Sequence, residues 1–406
     1  MPSLSRRDLL AATTALIAPP LIRPARAQAP VIRLGVLNDQ SGPYSDDGGA
    51  TSVACVRQAV QEFGDGLKVE VIYADHQNKP DVGAAIARQW LDQDGVDAII
   101  DVPTSSVALA VNQICRDKNK VHLNSGAATT DLTGAQCSPN TVHWTYDTYM
   151  LARSTGGAMV KAGGDTWYFI TADYTFGQQL QRDTTRVVEA SGGKVLGSRA
   201  YPFPGTSDFS SLLVQAQSSG AKVLGLANSG ADTINCIKQA HEFGLDQSMK
   251  IAAMLFYSTN VHALGLELAQ GLLLTESFYW DLNPRTRALT ERLHPKIGPA
   301  CPNMVQAGCY AATLHYLKAV AEIGVAAAKA DGKAAVARMK AMPTEDDAFG
   351  TGRIRADGRK VQPSYLLQAK APGESKGGWD LLKTVATTPA EDAYRPEREG
   401  GCPLVK

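Results

Sequence analysis

The sequence predicts a two-lobed α/β protein, each lobe a mainly parallel sheet flanked by helices and joined to the other by a multi-stranded hinge. Three observations carry this. Short β-branched runs alternate with helical patterns, the alternation restarts once near mid-chain, and two late helical stretches return before a closing pair of strands. With 406 residues, 44% hydrophobic and 20% charged, the chain can bury two such cores.

Residues 31–37 read as a strand, 49–63 as a helix, 68–74 as a strand, 82–92 as a helix, and 98–102 as a strand feeding a helix that begins near Thr104. The second series runs strand 167–171, helix 177–190, strand 194–201, helix 209–218, strand 222–227 and helix 232–243. A strand at 272–275 follows, then helical stretches at 284–293 and 304–329, a glycine-rich segment at 349–358, and strands at 364–369 and 379–384. No Gly/Ser or Pro-rich linker separates the units, so repeated crossings favour a hinge over independent beads. The expected division is 28–147 with 276–345 for the N-terminal lobe, 148–275 with 346–390 for the C-terminal lobe, and a tail at 391–406.

Residues 1–27 read as an export signal. Arg6-Arg7 precede an apolar stretch at 9–22, and Ala25-Arg26-Ala27 offers small residues where a signal peptidase reads. The paired arginines point to the twin-arginine route. Pro19-Pro20 interrupt the stretch, which argues against a membrane span, since that needs about 20 apolar residues in a row. Cleavage after Ala27 removes four arginines and one aspartate from a chain with 40 basic and 40 acidic groups, leaving a mildly acidic periplasmic protein. That balance argues against a nucleic-acid surface.

The seven cysteines then meet an oxidising compartment, and an odd count leaves at least one thiol free. Cys115 and Cys137 bracket one helix-to-strand passage and are candidates for a bridge, while Cys402 suggests a tail tied back to a lobe. Cys55 and Cys236 read equally well as small buried thiols. There is no CxxC pair and the histidines are scattered, so neither metal nor cofactor is expected.

Motifs that would make the chain an enzyme are missing. The turn after the first strand, Asn38-Asp39-Gln40-Ser41-Gly42-Pro43, has no GxGxxG, and Pro43 removes an N–H that a phosphate cradle would use. His241-Glu242 lacks the second histidine of HExxH, and Asn124-Ser125-Gly126 lacks the leading glycine of a nucleophile elbow. An exported hydrolase is the lesser alternative, and a sensor module of the same fold would need a fused signalling domain.

What remains is a set of loops at strand C-terminal ends, where open α/β sheets place ligands. Thr104, Ser105 and Ser106 are hydroxyl-rich and open a helix, a setting that suits a carboxylate and equally suits a plain N-cap. Gly126, Ala127 and Ala128 begin a loop running to Thr133, small enough for backbone approach. In the second unit, Tyr174 and Phe176, Asn228 and Asp232, and Phe256 with Tyr257 stand at successive strand ends. The Phe278-Tyr279-Trp280-Asp281 cluster is dense for a chain with 7% aromatics.

Together, 32–37 with Ser41-Gly42-Pro43, the 103–106 loop, 126–133, 173–177, 238–244 and Gln270-Gly271-Leu272 resemble the leucine/isoleucine/valine-binding protein family, the type I periplasmic binding proteins of branched-chain amino acid ABC importers. The resemblance implies the type I two-lobed fold, a small-molecule ligand, membrane permease partners and no catalysis. It implies a ligand carboxylate held by Thr104–Ser106 and Gly126–Ala128, with aromatics matching at Tyr174 and Phe176; Phe256 and Tyr279 are further candidates to touch the ligand. Where amino-acid binders use an acidic residue for the α-ammonium, this sequence has Phe256-Tyr257. With Cys137-Ser138-Pro139 and the 278–281 cluster, that resembles a subgroup taking up aromatic carboxylates. Asn228, Asp47 and Asp232 would then meet polar groups at the ligand's far end. A branched-chain or other amino acid is the alternative ligand.

Overall fold

The computed structural model describes residues 30–64 and 66–406. The expected leader, 1–27, lies outside the described residues. The first sheet is wholly parallel, with β1 (Ile32–Asn38), β2 (Val69–Asp75), β3 (Ala98–Asp101), β4 (Val121–Asn124) and β5 (Thr141–His143) in the order β2-β1-β3-β4-β5. The connecting helices α1 (Gly49–Phe63), α2 (Pro80–Asp92) and α3 (Ser105–Asp117) cover it. β3 and β4 are buried along their whole length, while the edge strand β2 is half-exposed. That is why the central strands read as near-continuous runs of apolar residues.

The chain then enters the second lobe through α4 (Thr148–Leu151), a π-helical turn at Ala152–Gly156, and α5 (Gly157–Lys161). There β6 (Thr166–Ala172), β7 (Lys194–Tyr201), β8 (Val223–Ala227) and β9 (Lys250–Ala253) form a parallel sheet in the order β7-β6-β8-β9. Helices α6 (Thr175–Ala190), α7 (Ser210–Ser218) and α8 (Gly230–Glu242) join them. The two sheets therefore repeat one right-handed βαβ theme, as the restart of the pattern predicts.

After α9 (Ser258–Leu264), α10 (Leu266–Ala269) and β10 (Leu273–Glu276), the chain returns to the first lobe. There α11 (Pro284–Ile297) and α12 (Met304–Ile323) pack on α1. The single helix expected over 304–329 breaks at Gly324, whose φ of 86° no helix accommodates. The chain resumes as α13 (Val325–Ala330) and α14 (Gly332–Ala341). Small antiparallel strands β11 (Thr344–Asp346), β12 (Gly350–Ile354) and β13 (Lys360–Val361) follow. A last passage at Gln362-Pro363 leads to β14 (Ser364–Ala369) and β15 (Leu382–Thr388), which extend β10 antiparallel. The chain thus passes between the two bodies three times, after β5, after β10 and after β13.

Two expectations need correction. The second lobe was expected to resume at 346, yet 344–361 is fastened to the first sheet: His143 donates its N–H to Gly358 O at 2.9 Å, and Arg359 bridges to His143 beside β5. Arg359 is fully buried, donates to His143 O at 2.6 Å, pairs with Asp147 at 3.2 Å and lies over the Tyr394 ring. A buried guanidinium with those partners anchors the segment, because stripping any of them leaves an uncompensated charge. Likewise Cys137 is bridged to Cys402, not to Cys115. Cys115 points from the inner face of α3 into the apolar core beside Val121, out of reach of the loop that carries Cys137.

Candidate functional site

Between the lobes lies a narrow cleft. It opens on the C-terminal ends of both parallel sheets, so the elements that reach it are loops and helix N-termini. Pro103 arrives just before α3, Tyr174 and Phe176 at the start of α6, Ser229 at the N-cap of α8, Tyr257 at the N-cap of α9, and Val305 in the first turn of α12. From the first lobe come Tyr44, Asp47, Gly126, Ala128 and Tyr146, and Leu255 closes the far side.

Several of these helix ends are already answered inside the protein. The buried Glu276 accepts from Ser258 N at 2.7 Å and from Met304 N at 3.0 Å, joining α9 of one lobe to α12 of the other. At α8, Ala231 N donates to Pro43 O at 3.0 Å across the cleft. The ends of α3 and α6 have no side-chain cap. First-turn N–H groups have no partner within their own helix and carry the positive end of its dipole, so these two ends are free to receive an anion.

The approach to α3 is shaped by backbone strain. Asp101 and Val102 both have positive φ, 80° and 54°, which is uncommon for any residue with a side chain and costly for a β-branched one. They are held there by Asn124, whose Nδ2 donates to Asp101 O at 3.0 Å and Val102 O at 3.1 Å. Ser125 N and Gly126 N also donate to Asp101 O, at 3.2 and 3.3 Å. The kink presses the 103–106 loop against the 125–128 loop so closely that a Cβ on Gly126 would stand 2.6 Å from Pro103 Cα. Only glycine fits there.

Among the described residues, Asp47 is the one charged side chain lining the cavity. It is 3% exposed and accepts from Asn260 Nδ2 of the opposite lobe at 2.7 Å. Burial pushes its carboxyl up to about 7, against the pull of the Asn260 hydrogen bond, with Asp46 and Asp39 adding to the rise. Around it the phenols link up across the cleft, Tyr44 to Tyr174 and Tyr146 to Tyr257, each pair at 2.7 Å. Phe203 stacks between Tyr44 and Tyr174, at 5.2 and 4.5 Å.

Of the residues singled out from sequence, Asp47, Gly126, Ala128, Tyr174 and Phe176 meet at this cavity. Ala127 is buried one residue away and gives its carbonyl to His143. Ser105 is buried with a hydroxyl that finds no partner, and Ser106 is half-buried on the same turn. Thr104 turns its hydroxyl to Asn78 Oδ1, away from the cavity. Asn228 bonds Thr233 and Cys236 inside its own lobe, and Asp232 accepts from Tyr201 OH at 2.7 Å. Phe256 points into the core of the second lobe, as does Tyr279, whose hydroxyl reaches Trp379 O at 3.2 Å. These two do not wall the cavity. Tyr44, Tyr146, Ser229, Leu255 and Val305, which do, were not singled out, and Tyr257 was named only beside Phe256. Tyr257 adjoins Phe256, and since neighbouring residues leave an extended strand end on opposite faces, the signal was one residue off. Val305 gave none.

The family model for periplasmic binding proteins matches residues 31–377, most of the chain. This chain belongs to the periplasmic binding protein family. A periplasmic binding protein from Burkholderia mallei is 45% identical, with a TM-score of 0.88 over 93% of this chain and 99% of that one. A branched chain amino acid ABC transporter periplasmic ligand-binding protein from Burkholderia xenovorans is 38% identical, with a TM-score of 0.79 over 92% of this chain and 100% of the other. A solute-binding protein of a Rhodopseudomonas palustris ABC transporter, solved with 4-hydroxybenzoate, shares the fold at 21% identity and a TM-score of 0.79, covering 90% and 99%. The branched-chain resemblance read from the loops and the two-lobed type I fold are thereby established. As a periplasmic binding protein of the ABC-transporter kind, the chain is a receptor for a small solute and not an enzyme, and it works with a membrane permease.

Proposed function

We propose that this receptor captures a small carboxylate, with a single-ring aromatic acid favoured, between its two lobes and delivers it to an ABC importer. The observation that carries the reading is the pair of unanswered helix ends, α3 and α6, on a cavity walled by Tyr44, Tyr146, Tyr174, Phe176 and Tyr257. Ligand pockets are mostly apolar with a few placed polar groups, and the tyrosine-walled cleft with Asp47 has that make-up. The 4-hydroxybenzoate held by the Rhodopseudomonas protein is a single-ring carboxylate. Asp47 is then a hydrogen-bond partner for a hydroxyl at the ring's far end. The moving bodies are the two sheets with their helices, hinged at the three passages. Export proceeds by the twin-arginine route with cleavage after Ala27, and Arg6→Lys with Arg7→Lys should leave the precursor in the cytoplasm. Undiminished periplasmic yield of that variant would remove the twin-arginine assignment.

Calorimetric titration with 4-hydroxybenzoate and with leucine separates the two ligand readings. Aromatic acid should bind and leucine should not. Ser105→Ala should weaken the aromatic acid by about tenfold to a hundredfold, the cost of one charge-assisted hydrogen bond. Tyr174→Ala should cost more for the ring than for a small aliphatic acid. Tight leucine binding without an aromatic response would return the amino-acid reading, which Asp47 supports as a partner for an ammonium group.

Acidity gives a second discriminant. When the lobes part, Asp47 gives up Asn260 and meets water, so its carboxyl should fall back toward the ordinary carboxylate range, whereas burial in the closed form holds it at about 7. The closed form therefore binds the proton more tightly, and closing on a neutral-ended ligand takes one up. Affinity should fall by up to about tenfold per pH unit from pH 5 to pH 7 and level off above. Asp47→Asn should flatten that slope. A ligand that brings a cation to Asp47 would keep it ionised and show no slope in the wild type.

A further inference from the structure

A second depression lies outside the ligand cavity, and its charge is opposite to that of the mature chain. It holds about 800 Å³, along one side of the passage from β5 into the second lobe. Arg153, Lys161, Arg182, Arg186 and Arg395 stand around it against only Asp183 and Glu399. Its floor is made of small and apolar side chains, Ala152, Gly157, Val160, Val187 and Ala190.

The cations are poorly matched inside the protein. Arg182 and Arg186 share a single carboxylate, Asp183, at 3.1 and 3.7 Å, and that same carboxylate already accepts from Thr148 at 2.6 Å. Arg153 lies on the Tyr149 ring and bonds its hydroxyl, a neutral partner. Arg395 gives one N–H to Thr130 O at 3.1 Å. Among the described residues Lys161 has no ion pair. Several guanidinium N–H groups are therefore left facing solvent, in the fork geometry that suits carboxylates.

The wall of this groove is also the wall of the ligand cavity. Residues 126–133 form one short loop, with Gly126 and Ala128 on the ligand side and Thr130 on the groove side. Asp131 of that loop accepts from Gln179 of α6 at 2.8 Å, so the loop is also tied to the second lobe. The groove is lined from both lobes: Thr130, Arg395 and Glu399 from the first and its tail, the rest from α4 through α6. Its width must change when the lobes move.

We propose that this groove is a docking surface for an acidic polypeptide segment of a partner protein. Charge complementarity names the occupant: carboxylates satisfy the rim arginines while the backbone runs over the small-residue floor. A flat anionic bilayer meets a recessed groove poorly, so a polypeptide is favoured over a membrane surface.

The test uses the full mature protein and a fluorescein-labelled hexaglutamate peptide followed by anisotropy. Binding should be saturable and should weaken as salt is raised from 20 to about 200 mM, as screening requires. Arg153→Glu with Arg186→Glu should weaken it at least tenfold, while Arg88→Glu with Lys194→Glu, exposed positions elsewhere, should change it less than twofold. Thermal unfolding of each variant verifies that it is folded. Equal loss in both pairs would reduce the effect to net charge and overturn the proposal, as would binding to phosphatidylglycerol vesicles that the groove pair abolishes while peptide binding persists. None of these outcomes depends on which solute the receptor carries.

Discussion

Loss of the Cys137–Cys402 disulfide should lower the stability of the protein by about 4 kcal/mol, the upper part of the range for native bridges. The bond closes a loop with a sequence separation of 265 residues, so the unfolded chain loses much conformational freedom when it is intact. It also fastens the tail to the loop next to the ligand cavity. Tyr394 donates to Thr145 O at 2.7 Å and Arg395 to Thr130 O, both within reach of the bridge. Urea unfolding of the wild type, of Cys402→Ser and of the wild type under reductant measures the effect. The two perturbed samples should agree with each other and fall well below the oxidised protein. A difference under about 1 kcal/mol would mean that the tail's hydrogen bonds hold the fold without the bridge, and the entropic account would fail.

The disulfide also marks where sequence reading stopped. A tail tied back by Cys402 was legible from its position near the chain end, but its partner was not. Cys115 and Cys137 are near in sequence, while the pairing depends on which faces of α3 and the following loop point inward, a property of the assembled sheet. The parallel sheets were legible for the opposite reason, since strands buried on both faces must be continuously apolar and the pattern can be read residue by residue. The site was legible in part. Loops at strand ends are fixed by topology, so Gly126, Ala128, Tyr174 and Phe176 could be found. The Tyr279 cluster could not be distinguished from a core, because an aromatic run carries no sign of which lobe face it meets. Asp47 was named as a partner for the ligand's far end, but its own partner Asn260 lies more than two hundred residues away. Pairs formed only when two lobes meet leave no local signal.

Those inter-lobe pairs make the closed form sensitive to one atom. Gly230 opens α8 with φ of 60°, and a Cβ built on it would overlap the carbonyl oxygen of Pro43 in the other lobe, with Asp47 Oδ2 at 3.0 Å and Tyr44 Cδ1 at 3.0 Å beside it. None of those neighbours belongs to its own lobe, so the overlap exists only when the lobes are shut. Gly230→Ala should therefore act as a wedge, sparing the fold of each lobe apart from about 1 kcal/mol for the left-handed backbone while opposing closure. Ligand affinity should drop by about a hundredfold or more, because closing must now break the Ala231 N to Pro43 O bond and separate Tyr44 from Tyr174. Asn260→Ala, which removes the hydrogen bond to Asp47 and the one that Asn260 Oδ1 accepts from Tyr257 N, should weaken binding less and without a wedge. Small-angle scattering reads the difference directly: ligand should shrink the wild type and Asn260→Ala but leave Gly230→Ala at its expanded radius. A Gly230→Ala protein that contracts on ligand as the wild type does would show that the 43–47 turn yields to the methyl group, and that the contact between this turn and α8 does not govern closure.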